Sequence, residues 1–89
     1  MDVNGKVALV TGASGDIGGA IARSLGASGA LVVVTYVGAE AAAFETVADI
    51  EASGGSATKI QLDQRDPDSI EACIAQVASS HARLDILVN

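Results

Sequence analysis

The chain has 89 residues and a net charge of −6, and 49% of its residues are hydrophobic while only 2% are aromatic. That length allows one domain at most, burying roughly two-thirds or less of the unfolded surface, and the hydrophobicity excludes disorder. The 5 Lys and Arg residues (Lys6, Arg23, Lys59, Arg65, Arg83) are scattered, so no basic stripe exists to follow a nucleic-acid backbone or to lie on a membrane surface.

In chain order, residues 6–10 form a short apolar run bounded by Gly5 and by Thr11-Gly12, which reads as a buried strand. From Asp16 the period changes: Ile17, Ala20, Ile21, Ser24 and Leu25 recur at three and four, one face of a helix that Gly26 and Gly29 close. Residues 31–35 are a second strand with three valines at its centre. A second helix over 39–53 turns Phe44, Val47, Ala48 and Ile50 inward and stops at Gly54-Gly55. Residues 57–62 make the third strand. Asp66-Pro67 then opens a third helix, with Asp66 as cap and Pro67 in the first turn, and its apolar stripe is Ile70, Cys73, Ile74, Val77 and Ala78. A fourth strand over 84–88 leads to Asn89.

The order β-α-β-α-β-α-β predicts an α/β fold with a parallel sheet and right-handed crossovers, strand order 3-2-1-4. The first two helices then cover one face, the third covers the other, and the fourth strand is an edge. No internal disulfide is possible with Cys73 alone, and no metal cluster is spelled out. There is no charged-then-apolar leader and no apolar run near the length of a membrane span, so the expected location is cytoplasmic.

The turn between the first strand and the first helix carries the functional signal. It reads Thr11-Gly12-Ala13-Ser14-Gly15-Asp16-Ile17-Gly18. Gly12 permits a tight turn, Gly15 lets backbone approach a pyrophosphate, and Gly18 with Gly19 lets the helix pack close to the sheet. Free N–H groups at the helix start favour an anion. This is the pattern of a Rossmann-type dinucleotide site, and its strand–turn–helix context is what gives it weight. The plain alternative is a structural turn with no ligand. A P-loop is excluded because no Gly-Lys-Ser/Thr follows, and a methyl-donor site would want an acid closing the second strand, where Thr35-Tyr36 stands. Asp16 reads as a helix cap turned away from the ligand.

With this turn, the segment Leu62-Asp63-Gln64-Arg65-Asp66-Pro67 and the final Leu87-Val88-Asn89, the whole chain resembles the short-chain dehydrogenase/reductase family, in particular its 3-oxoacyl-carrier-protein reductases and related sugar or alcohol dehydrogenases. The glycine spacing 12/15/18 departs from the shorter-chain branch, which would place Gly at position 16, and matches the branch with extended chains; the subfamily stays open. The resemblance implies a doubly wound parallel sheet, first half only, with residues 1–89 a partial NAD(P)-binding domain truncated at the end of the fourth strand. It implies that Gly12, Ser14, Gly15, Ile17 and Gly18 line the pyrophosphate and ribose, that Tyr36 lies beside the adenosine ribose, that Asp63 accepts a hydrogen bond from the adenine amino group, and that Asn89 lies beside the cofactor. A solvated loop carboxylate at Asp63 and a frayed end at Asn89 are the plain alternatives.

An acid at the end of the second strand would select NAD. Tyr36 stands there instead, which favours NADP, while the lack of any cation between Arg23 and Lys59 leaves no basic clamp for its phosphate. The implied activity is hydride transfer between NADP, or NAD, and a small carbonyl or alcohol substrate. The family's catalytic Tyr-x-x-x-Lys is absent, since Glu40 lies four residues after the only Tyr, so the 89 residues are expected to be inactive alone. A non-catalytic nucleotide-binding or scaffold module is the competing reading. His81 reads as a helix-end residue and Cys73 as core. A bare edge strand and half-covered face predict a homo-oligomer or a need for a missing half.

Overall fold

The computed structural model describes residues 3–12, 16–81 and 83–88. Seven elements alternate: β1 (Val7–Val10), α1 (Asp16–Ala27), β2 (Leu31–Tyr36), α2 (Glu40–Ala52), β3 (Ser56–Gln61), α3 (Pro67–His81) and β4 (Ile86–Val88). All four strands are parallel in the order β3-β2-β1-β4, the Rossmann-type arrangement expected from the alternation. Parallel strands buried on both faces need continuous apolar runs, and Val7–Val10 is buried at every position.

The strand period of two sorts these runs between two cores. Val10, Val32 and Val34 pack with Ala22 of α1 and with Ala43 and Ile50 of α2 on one face. Val7, Leu9, Val33 and Ile60 pack with Cys73 and Val77 of α3 on the other. The first two helices therefore share a face and the third takes the opposite one, as right-handed crossovers require.

The helix faces differ in detail from the periodicity. The side of α1 against the sheet is Gly19, Ala22 and Gly26; Ile21 and Leu25 flank it, while Ile17 points outward at 79% exposure. In α2 the buried line is Ala43, Thr46 and Ile50, and Phe44 is 61% exposed. Small residues win the inner positions because they let the helices approach closely. Gly26 is the clearest case, since a Cβ there would lie 2.7 Å from Ile50 Cγ2. Gly26 is thus a packing residue inside α1. The helix stop falls to Gly29, which adopts φ +96° as the Ala30 N–H closes back to the Leu25 carbonyl at 3.1 Å.

In α3 only Cys73 and Val77 of the expected stripe are buried; Ile70 and Ile74 remain exposed. The start of α3 follows the sequence expectation. Asp66 Oδ1 accepts the Asp68 N–H at 3.0 Å, and Pro67 takes the first helical position, where its missing N–H costs nothing. β4 begins two residues later than expected, because Asp85 uses its side chain in the ladder: Oδ2 accepts the Val7 N–H at 2.8 Å, and the Asp85 N–H donates to the Val7 carbonyl at 2.9 Å.

Candidate functional site

The carboxyl ends of β1, β2 and β3 converge on one rim of the sheet. β1 exits through Thr11, whose N–H and Oγ1 both donate to the Val88 carbonyl, at 2.9 and 3.1 Å. The chain then turns at Gly12, with φ +67°, a conformation that a side chain would strain. Residues 13–15 lie outside the described residues, so the expectations for Ser14 and Gly15 do too, as does that for Asn89. Asp16 is the first helical residue of α1, a favourable place for an acid. Gly18 is half-buried in the same first turn.

Beside Gly12 the rim opens into a cleft of about 390 Å³, within the roughly 300–1,000 Å³ of small-ligand sites. Its walls include Gly12, Tyr36, Val37 and Gly38 from the β1 and β2 exits, and Asp63 and Arg65 from the β3 exit. The structure therefore brings together three of the expected site residues, Gly12, Tyr36 and Asp63. Ile17 and Gly18 stay at the start of α1 and do not line this cleft.

Two acids near the rim, Asp63 and Glu40, each carry a cation. The Arg65 guanidinium forks onto Asp63, Nε to Oδ1 and Nη2 to Oδ2, both at 3.1 Å. That pairing holds the Asp63 carboxyl below its ordinary range and the guanidinium above its own. Glu40 Oε2 accepts both the Tyr36 hydroxyl and Lys59 Nζ at 3.0 Å, and Lys59 Nζ lies 5.9 Å from the centre of the Tyr36 ring. The hydrogen bonds from Lys59 and Tyr36 push the Glu40 carboxyl down, whereas accepting the phenol proton makes Glu40 raise the Tyr36 hydroxyl. Tyr36 is thus a wall of the cleft with its hydroxyl engaged by Glu40.

The short chain dehydrogenase family matches this sequence over residues 6–89. The chain belongs to that family. A 3-oxoacyl-[acyl-carrier-protein] reductase of Synechocystis is 43% identical over 94% of this chain and 34% of its own length. The short-chain dehydrogenase/reductase homolog YusS of Bacillus subtilis is 39% identical over the whole chain and 82% of its own length. A short chain dehydrogenase from Burkholderia cenocepacia, solved in complex with NADP, superposes with a TM-score of 0.92 at 46% identity, covering 100% of this chain and 36% of its own. The chain spans about a third of the length of the first curated relatives it matches.

Within this short-chain dehydrogenase sequence, three rim residues escaped the sequence reading: Glu40, Lys59 and Arg65. The expected lack of any cation near Tyr36 holds along the chain but not in space. The parallel register pairs Val34 with Lys59 and Tyr36 with Gln61, so Lys59 rises on the same face as Tyr36. That register was the signal that could have found it. Cys73 is buried core, and desolvation raises its thiol; His81 ends α3. Among the described residues no cluster of His, Cys, Asp or Glu could hold a metal, and no helix is long and apolar enough to cross a membrane.

Proposed function

We propose that residues 1–89 are the dinucleotide-binding part of an NAD(P)-dependent oxidoreductase that moves hydride between the nicotinamide and a small carbonyl or alcohol. The observation that carries this reading is the cleft at the carboxyl ends of three parallel strands, where the Gly12 turn, the Tyr36 ring and the Asp63 carboxylate meet. Open parallel sheets bind nucleotides at that place. In this reading Gly12, Ser14, Gly15, Ile17 and Gly18 serve the pyrophosphate and ribose, Tyr36 and Asp63 the adenosine, and Asn89 lies beside the cofactor. The 89 residues bind the cofactor without turning over a substrate, because no base of the required kind is present.

NADP is the preferred cofactor. Tyr36 replaces the acid that would repel a 2′-phosphate, and two acids near it, Glu40 and Asp63, are neutralised by Lys59 and Arg65. Calorimetric titration with NADPH and NADH is expected to show binding of both, NADPH the tighter, and no oxidation when a carbonyl substrate is added. Tighter binding of NADH would overturn the cofactor preference, and binding of neither would overturn the site. A cytoplasmic location and self-association complete the reading. The latter is supported by an apolar hollow of about 270 Å³ between α3 and β4, edged by Ile70, Ile74, Leu84 and Leu87.

A further inference from the structure

Asp63 is fastened from several directions. Its N–H donates to Ser69 Oγ at 2.9 Å, and its carbonyl accepts the Asp66 N–H at 3.0 Å, so its backbone is tied to the start of α3. Among the described residues its side chain is held by Arg65. Oδ1 accepts the Arg65 backbone N–H at 3.0 Å and Arg65 Nε at 3.1 Å, and Oδ2 accepts Nη2 at 3.1 Å. Two donors fill Oδ1, and Oδ2 keeps an acceptor direction open. Exposed ion pairs contribute little to stability, and the Arg65 side chain is 86% exposed. Stability therefore gives little reason for a three-bond clamp on this loop.

We propose that Arg65 is a positioning residue of the adenine subsite, its fork fixing the Asp63 carboxylate in one orientation and reserving Oδ2 for the exocyclic amino group of the base. The proposal rests on the dinucleotide reading of the cleft. Two physical effects favour it. A carboxylate already held in one rotamer loses less entropy when a base docks. A bare carboxylate would also repel the phosphates of the ligand, in a chain that already carries −6, and the guanidinium cancels that charge locally.

AMP and IMP separate this role from general nucleotide binding, because they share ribose and phosphate and differ at C6, an amino donor against a carbonyl. Calorimetry on the full chain is expected to give AMP an advantage of about tenfold or more, the size of a hydrogen bond to a charged acceptor. Asp63→Asn, which can both accept and donate, is expected to erase that advantage. Arg65→Met is expected to weaken AMP about threefold or more, through lost preorganisation, while leaving IMP and the circular dichroism spectrum unchanged. Arg65→Lys keeps the charge without the fork and is expected to behave like the Met variant. AMP bound equally or more tightly by Arg65→Met would show that Arg65 competes with the base, and equal weakening of AMP and IMP would place Arg65 on the phosphate or ribose; either overturns the proposal, as does full recovery in Arg65→Lys. Binding of neither nucleotide by the parent chain would overturn the dinucleotide site itself, and the Arg65 role with it.

Discussion

The rim of the sheet is decided residue by residue, through which acid finds which cation. Arg65 beside Asp63 depresses the carboxyl, so the aspartate stays ionised to a lower pH than a free one. Carbon-detected NMR titration of Asp63 is expected to show its midpoint rise toward the ordinary carboxylate value in Arg65→Met. An unmoved midpoint would mean that the fork does not persist in solution. Tyr36 shows how far one side chain can be read without its neighbours. Its place at the end of β2 follows from the strand pattern, but its hydroxyl is committed to Glu40, four residues on and at the start of α2. The sequence placed Tyr36 at the end of a strand; the fold adds that its hydroxyl donates to an acid, which disfavours ionisation.

At the scale of elements, the strand runs and the cap of α3 were legible, and the helix faces were not fully so. A 3.6-residue period locates a face only to within about one position, and the choice between large and small residues for the inner line is made by the distance to the sheet. Gly26 against Ile50 is such a contact between α1 and α2, with no room for a Cβ. Gly26→Ala gains about 1 kcal/mol of helix propensity but overpacks a fully buried branched side chain, which costs about 1–3 kcal/mol; the expected net is a loss in chemical denaturation. In an Ile50→Ala background the same change is expected to be neutral or stabilising, and simple additivity in the double-mutant cycle would rule out the contact. Asp85 ties β4 to β1 with a carboxylate that the Arg83 guanidinium and the Val7 N–H hold below its ordinary range. A carboxyl depressed in the folded state gives its full stabilisation above the unfolded value and loses it as pH falls through the folded one. Asp85→Asn is therefore expected to flatten the acid limb of a stability–pH curve while leaving the limb above neutrality in place.

For the whole molecule, two cores of unequal cover matter most. The α1–α2 face is closed by two helices, whereas the α3 face leaves Ile74 at 52% and Leu87 at 58% exposure. β4 forms one edge of the sheet, and exposed edges beside apolar surface invite association. Sedimentation over a concentration series is expected to show reversible self-association that Leu87→Glu reduces. A monomer at all concentrations would count against the self-association reading.

The sequence by itself determined the alternation of elements, the parallel order 3-2-1-4, the two-sided core and the family, because hydrophobic period, glycine turns and a helix cap are local signals. It also placed Gly12, Tyr36 and Asp63 at strand ends, where crossover topology gathers them. Only the tertiary structure decided which charges meet at that rim. Lys59 and Arg65 reach Glu40 and Asp63 through the register of parallel neighbours and the path of one loop, and no period along the chain encodes a distance between strands.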